Sequence, residues 1–131
     1  MTSGNVQVTF DCADPATLAT FWAAVLGYPP PDIDGTHAML TALGQSEETL
    51  GDWYRIEDPN NAGPRLAFQR VPESKTIKNR VHLDVKPLDD TLQQEVQRVL
   101  ALGATQLETV TDEAGTFVIL QDPEGNEFCV G

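Results

Sequence analysis

The chain has 131 residues, of which 40% are apolar and 21% are charged, a composition typical of a single globular domain. Its 20 acidic and 8 basic residues give a formal net charge of −12. This charge argues against nucleic acid and anionic membrane as partners, because both bind basic patches. No apolar run approaches the roughly 20 residues that a membrane-spanning helix needs.

The beginning of the chain and its two cysteines indicate the cellular compartment. Residues 1–5 contain neither a positive region nor an apolar core, so we expect no secretion signal. Cys12 and Cys129 lie far apart, without Cys-x-x-Cys spacing, which favours free thiols in a reducing environment. The predicted location is the cytoplasm.

The first half of the chain predicts one strand, one helix and three further strands. Residues 6–12 alternate between apolar and polar side chains, which is the period of a strand with one buried face. Asp14-Pro15 predicts the start of a helix, and Gly27 predicts its end. The further strands are predicted at residues 36–43, 53–57 and 65–71.

The second half begins with Val81-His82-Leu83-Asp84-Val85, which alternates in the same way. The three apolar side chains are expected to be covered, while His82 and Asp84 face the other side of the sheet. Either the two polar residues are ordinary surface or they belong to a site.

The rest of the second half repeats the order of the first. Asp89-Asp90 predicts the region that caps a helix, and Gly103 predicts the end of that helix. Strands are predicted at residues 105–110, 116–121 and 127–130. The order β-α-β-β-β therefore occurs twice, over residues of about 5–71 and 80–131, which indicates an internal repeat.

Several segments of this chain resemble the vicinal oxygen chelate superfamily, the glyoxalase/bleomycin-resistance/dioxygenase group, and above all its small glyoxalase-like domain proteins. They are Phe10-Asp11-Cys12-Ala13-Asp14-Pro15 with Leu18 and Phe21-Trp22, Leu26-Gly27, Val81-His82-Leu83-Asp84-Val85, Leu102-Gly103-Ala104 and Asp122-Pro123-Glu124-Gly125-Asn126-Glu127-Phe128. The resemblance implies a single α+β domain of two βαβββ modules. Their strands would form a curved, half-open mixed sheet around a central cavity, with the helices outside.

In such a fold the polar strand faces would line the cavity and hold a small molecule. The implied ligand-binding residues are Gln7, Thr9, Asp11, Trp53, Tyr54, Arg65, Gln69 and Asp84. Trp53 and Tyr54 are neighbours on one strand, so the alternation directs one of them into the cavity as an aromatic wall.

The resemblance also implies where a metal would bind, because metal-using members take ligands from the first and last strand of each module. Those positions are here Gln7, Arg65, His82 and Glu127. Arginine cannot ligate a cation, since it is always charged and has no free lone pair. A shift of one residue would bring in Leu66, which cannot ligate either. A three-ligand site of Gln7, His82 and Glu127 for one divalent ion (Ni, Zn, Co, Mn or Fe) remains, with Glu127 as the base that moves a proton.

Two functions stay open on the sequence. One is a metal-free protein that binds or sequesters a small molecule. Arg65 favours this function, and the acidic composition of the chain suits a cationic ligand. The other is a divalent-metal-dependent lyase or isomerase acting on a small molecule with vicinal oxygens. A typical glyoxalase I is not expected because the ligand set is incomplete, and Gln7 in place of a histidine argues against an extradiol dioxygenase. A homodimer is a further expectation.

Overall fold

The computed structural model describes residues 5–88 and 90–131. Along the chain these residues form two compact units, divided between Ser74 and Lys75. We call the part up to Ser74 unit one and the part from Lys75 to Gly131 unit two. Within the described ranges, no helix is both long and apolar enough to cross a membrane.

Unit one combines a three-stranded sheet with two α-helices. Its elements are β1 (Gln7–Cys12), α1 (Pro15–Leu26), α2 (Ile33–Ala42), a short 3-10 helix (Glu47–Thr49), β2 (Trp53–Ile56) and β3 (Arg65–Arg70). The strand order in the sheet is β1-β3-β2. Strand β3 pairs with β1 in parallel and with β2 antiparallel, so the last strand of the unit lies at the centre of its sheet.

Helix α1 begins and ends where the sequence predicts. The side chain of Asp14 accepts hydrogen bonds from the backbone N–H of Thr17 over 3.2 Å and from its hydroxyl over 2.7 Å. Pro15 occupies the first turn, where its missing N–H is not needed. Gly27 ends the helix with a φ of 70°, a left-handed conformation that glycine adopts without strain.

The apolar stripe of α1 covers one face of this sheet. Trp22 packs against Phe10 with 5.5 Å between ring centroids, and Phe10 packs against Phe68 at 5.2 Å. Leu18 and Leu66 are completely buried beside them. The opposite face of the sheet carries the polar residues of β1, which are exposed.

One predicted strand of unit one is wrong. Residues 36–43 were expected to be extended, but the chain forms α2 over Ile33–Ala42. The Asp32 side chain caps this helix by accepting a hydrogen bond from the backbone N–H of Gly35 over 2.9 Å. The segment also contains Ala, Met and Leu, which are strong helix formers. No residue of α2 is fully buried, so its short apolar run does not fill a sheet position.

Unit two has the predicted order of elements. They are β4 (Asp84–Val85), α3 (Leu92–Leu102), β5 (Thr105–Asp112), β6 (Gly115–Gln121) and β7 (Glu127–Val130). The sheet order is β4-β7-β6-β5, with β4 parallel to β7 and the other pairs antiparallel. The last strand again pairs with the first.

The start of α3 differs from the prediction. The predicted capping region includes Asp89, which lies outside the described residues. The N-cap is Thr91, whose hydroxyl accepts from the Gln94 backbone N–H, while the Gln94 side chain accepts from the Thr91 backbone N–H. This reciprocal capping box provides a partner for two backbone donors. Gly103 ends the helix as predicted.

The strand predicted at residues 81–85 is shorter than expected. Only Asp84–Val85 pair as a strand, although Leu83 still accepts a hydrogen bond from the Cys129 N–H over 3.0 Å. Val81, which was expected to be covered, is 82% exposed. Strand β4 lies at the edge of its sheet, with β7 as its neighbour.

The predicted α+β class is confirmed, with one mixed sheet in each unit. Unit two realises the full β-α-β-β-β order, whereas unit one has a second α-helix in place of one strand. Neither cysteine takes part in a disulfide; Cys12 is buried and Cys129 is half-buried.

Two leucines on neighbouring strands of unit two provide a test of this core. Leu120 of β6 is fully buried, whereas Leu107 of β5 is 50% exposed beside a register shift. We expect Leu120→Ala to lower the free energy of unfolding by about 2–5 kcal/mol, because it removes buried methyl groups and leaves a cavity. Leu107→Ala is the matched control and should change it by about 0.5 kcal/mol or less. Urea denaturation followed by circular dichroism measures both, and equal effects would contradict the core assignment.

Candidate functional site

The face of the unit-one sheet opposite α1 collects most of the predicted ligand-binding residues. Strand pairing sets Gln7 beside Arg65, Asp11 beside Gln69, and Gln69 beside Trp53. Directly paired residues point to the same side of a sheet. We call this surface the unit-one polar face, and its members are Gln7, Thr9, Asp11, Trp53, Arg55, Arg65, Ala67 and Gln69.

The register of Arg65 follows from the same pairing. Leu66 pairs with Val8 and is completely buried, so it belongs to the core side. Arg65 is exposed beside Gln7 on the polar face. The alternative in which Leu66 takes this place is therefore wrong.

The two neighbouring aromatic residues of β2 separate as the alternation requires. Trp53 is half-buried on the polar face. Tyr54 is 2% exposed on the core side, where its hydroxyl oxygen lies 2.5 Å from His37 Nε2. Burial raises the pKa of the Tyr54 phenol. Of the two aromatic residues, Trp53 therefore lies on the polar face, and the contact of His37 with Tyr54 joins α2 to β2.

Arg55 is a residue of the polar face that the sequence analysis missed. Its guanidinium carbon lies 6.0 Å from the centroid of the Trp53 ring, within the range of a cation–π interaction. The signal was present, since Arg55 stands two positions after Trp53 and must share its side of the strand. Together with Arg65 it brings two positive charges to this face.

The acidic group of the same face is already partly satisfied. The Gln69 side-chain amide donates to Asp11 Oδ1 over 2.7 Å, across the β1–β3 pair. Counting Asp11 against Arg55 and Arg65, this surface carries an excess of positive charge although the chain as a whole is acidic. An anionic group is the complement of such a surface.

Glu127 of unit two is engaged by two hydrogen-bond donors. Lys75 Nζ lies 2.7 Å from Oε1, and the Asn79 backbone N–H donates to Oε2 over 2.9 Å. The residue is only 8% exposed. Burial acts to raise the pKa of this carboxyl, but the bonds from Lys75 and Asn79 outweigh it and lower the pKa below its usual value. Glu127 is thus held as a carboxylate, an arrangement suited to an ion pair more than to proton transfer.

His82, Asp84 and Cys129 form a second group on unit two. Asp84 pairs directly with Cys129, and His82 Nδ1 lies 3.1 Å from Asp84 Oδ1. One donor atom from each of the three residues lies within 4.8 Å of the others. Burial raises the pKa of the Cys129 thiol, and the Asp84 carboxylate raises it further, while Lys78 opposes them.

The metal positions that the resemblance implies have surroundings that do not fit a cation. Gln7 stands beside the guanidinium-bearing Arg65. Both Glu127 oxygens accept hydrogen bonds, one of them from the Lys75 ammonium. A cation there would face positive charge at each of these positions and would have to displace Lys75. Among the described residues, His82 is the implied ligand that has further metal-binding side chains beside it, namely Asp84 and Cys129.

Comparison with known proteins identifies the family. A family model described as a glyoxalase-like domain matches residues 7–131. The chain belongs to this glyoxalase-like family. The resemblance to the vicinal oxygen chelate group is thereby confirmed, since solved structures of that group share the fold of this glyoxalase-like protein. No curated protein sequence matches it.

Three of these structures illustrate the similarity. A glyoxalase/bleomycin resistance protein/dioxygenase family enzyme from Burkholderia phytofirmans has 17% identity and a TM-score of 0.64, covering 95% of this chain and 94% of its own. A mutant of the fosfomycin resistance protein FosX from Listeria monocytogenes, complexed with Mn(II) and 1S,2S-dihydroxypropylphosphonic acid, has 14% identity and a TM-score of 0.69 over 99% and 90%. A possible glyoxalase from Bacillus cereus has 15% identity and a TM-score of 0.61 over 98% of both chains. Identities this low show the fold alone.

The ion pair of Glu127 predicts a specific dependence of stability on pH. Because its pKa is lower in the folded state, the carboxylate stabilises the fold above the unfolded pKa of about 4.3. This stabilisation is lost as the pH falls through the folded value. Glu127→Gln should lower the free energy of unfolding by about 1–3 kcal/mol at neutral pH, since Lys75 loses its partner.

The difference between parent and Glu127→Gln should therefore shrink as the pH is lowered, which urea denaturation at several pH values measures. Glu113→Gln, at the exposed turn between β5 and β6, is the control and should follow the parent at every pH. A constant difference between parent and Glu127→Gln would contradict the assignment.

Proposed function

We propose that this glyoxalase-like protein binds a small molecule with an anionic group on the unit-one polar face, without a metal ion held jointly by Gln7, His82 and Glu127. The single observation that carries the proposal is the place of Arg65. It stands beside Gln7, at a position where the resemblance implies a metal ligand. A guanidinium there repels a cation and offers paired N–H donors to a carboxylate or phosphonate.

The neighbouring side chains extend this surface towards a flat or apolar part of the ligand. Trp53 is half-buried and offers a ring with Arg55 near it. Aromatic side chains commonly line small-molecule sites, while a few polar groups orient the ligand. Gln69 and Asp11 supply such groups, already hydrogen-bonded to each other. The expected ligand has a negatively charged end near Arg65 and a planar or apolar end towards Trp53.

The acidic composition of the whole chain led us to expect a cationic ligand. The positive charge of the unit-one polar face favours an anionic ligand instead. Local charge dominates because surface charges farther apart than about 8–10 Å are screened by salt. The FosX complex with a phosphonic acid supports an anionic ligand class for this fold.

The cytoplasmic location and the homodimer remain predictions.

The alternative is a metal-dependent lyase or isomerase acting on a small molecule with vicinal oxygens. The Mn(II) in the FosX structure favours it, as does the presence of His82 at one of the implied ligand positions. The surroundings of Gln7 and Glu127 argue against it. Turnover of fosfomycin that requires added Mn(II) would show metal-dependent catalysis, here the addition of water to an epoxide, and would reject the metal-free proposal.

Binding can be tested with anionic probes and the fluorescence of Trp53. The chain has two tryptophans, and the other, Trp22, is buried in the core. We expect fosfomycin or phenylphosphonate, in metal-free buffer with chelator, to quench the fluorescence and raise the melting temperature. Benzyl alcohol, which carries no charge, should have a much smaller effect. Arg65→Gln should weaken binding of the anions at least tenfold, equivalent to about 1.4 kcal/mol.

The matched control is Arg80→Gln, which removes an exposed arginine of unit two and should leave the dissociation constant unchanged. Trp53→Phe should abolish the quenching while the thermal shift persists. Equal binding by the parent and Arg65→Gln would contradict the proposed site. A parent that binds neither anion would contradict the proposed ligand class.

A further inference from the structure

Three side chains of unit two meet on one side of two paired strands. Strand β4 runs parallel to β7, with Asp84 directly opposite Cys129. Directly paired residues point to the same side of a sheet, and His82, two positions before Asp84, lies close to it with Nδ1 3.1 Å from Asp84 Oδ1. Imidazole, carboxylate and thiol therefore converge, with donor atoms within 4.8 Å of one another.

The backbone holds two of these residues firmly relative to each other. The Cys129 N–H donates to the Leu83 carbonyl over 3.0 Å, and the Gly131 N–H donates to the Val85 carbonyl over 3.0 Å. These bonds lie on both sides of the Asp84–Cys129 pair. Sites built on paired strands keep their ligands in place more accurately than sites on loops.

We propose that His82, Asp84 and Cys129 form a three-ligand site for a divalent cation of the zinc class. Zinc accepts one nitrogen, one oxygen and one sulfur ligand in tetrahedral geometry, and sites with three protein ligands leave the fourth position to water or a small ligand. This ligand set differs from the Gln7, His82 and Glu127 set that the resemblance implies. It also goes beyond the proposed function, because it uses no residue of the unit-one polar face.

The geometry needs only a small adjustment. Ligands bonded to zinc at about 2.0–2.3 Å in a tetrahedron lie about 3.3–3.8 Å apart. In the structure the three donor atoms lie within 4.8 Å of one another, and rotation of the side chains would bring them to the shorter tetrahedral distances. The side chains of His82 and Asp84 are 42% and 59% exposed, so both have room to rotate and are open to incoming metal.

The charge of the surroundings and the soft thiolate ligand both favour cation binding at His82, Asp84 and Cys129 over cation binding at Glu127. Asp84 is exposed and hydrogen-bonded to the His82 imidazole, whereas Glu127 is buried and paired with the Lys75 ammonium. The thiol of Cys129 adds a soft ligand, which selects zinc over magnesium or calcium. Upon binding, the cation replaces the proton of the thiol, and that proton passes to solvent.

The test is a titration of the reduced, tag-free 131-residue protein with Co(II) and then with Zn(II), both as chlorides. Co(II) bound to a thiolate gives a charge-transfer absorption band, so the spectrum reports directly on Cys129. We expect one Co(II) per chain with this band, and displacement of Co(II) by Zn(II). Zn(II) should also raise the melting temperature, because it binds the folded state.

Variants separate this site from the alternatives. Cys129→Ser should remove the charge-transfer band and weaken Zn(II) binding at least tenfold. Asp84→Asn should also weaken Zn(II) binding at least tenfold. Asp84 is exposed, so its variant keeps the fold even if Cys129→Ser does not. Cys12→Ser changes the other cysteine, which lies buried in unit one, and should leave the band unchanged. Glu127→Gln should bind Co(II) as the parent does.

Each other outcome overturns the proposal. A parent without the band at a several-fold excess of Co(II) would show that no thiolate site forms. Zn(II) binding that survives both Cys129→Ser and Asp84→Asn but is lost in Glu127→Gln would assign the metal to the superfamily ligand set instead. The proposed anion site is tested with chelator present and through Arg65, so either proposal can fail while the other stands.

Discussion

The parallel pairing of the first and the last strand of each unit is the constraint on which the candidate sites depend. In unit one it joins β1 to β3, and in unit two it joins β4 to β7. Parallel neighbours cannot be joined by a tight turn, so the chain between them must cross over, and a helix follows the first strand in both units. Residues more than forty positions apart thereby become direct neighbours, such as Gln7 with Arg65 and Asp84 with Cys129.

The same topology therefore produces two different chemical surfaces. In unit one the paired strands set a guanidinium beside an amide, and the adjacent strand adds Trp53 and Arg55. In unit two the corresponding pair sets a carboxylate beside a thiol, with His82 next to them. A shared scaffold with different side chains is the usual way in which one fold carries different functions. The first surface suits an anion and the second a cation.

Local charge and total charge point in different directions in this protein. The net charge of −12 counts every charged side chain of the sequence, whether buried or exposed. At Arg65 the neighbours on the sheet decide the potential, because they are within a few ångströms and distant carboxylates are screened. Glu127 illustrates the reverse case. It is acidic, yet Lys75 at 2.7 Å neutralises it, so its carboxylate does not contribute free negative charge to a ligand.

The segment that became α2 shows the limit of sequence patterns. Its short apolar run suited a strand or a helix equally, since periodicity does not separate the two over so few residues. The Asp32 cap and the bond between His37 and Tyr54 tie the segment to the sheet as a helix. The bond between His37 and Tyr54 is the tertiary contact of the two, because it joins residues seventeen positions apart.

By itself the sequence determined the strand alternation, the two helices that follow the first strands, their glycine ends and the family. Those features are local, because side-chain periodicity and capping depend on a few neighbouring residues. The sequence also brought Arg65, His82 and Glu127 to notice through the resemblance. The tertiary structure alone decided what stands beside each of them, since register, the Lys75–Glu127 ion pair and the Asp84–Cys129 pair all join distant parts of the chain. Charge compensation and metal-ligand geometry act over a few ångströms in space, a distance that no sequence spacing encodes.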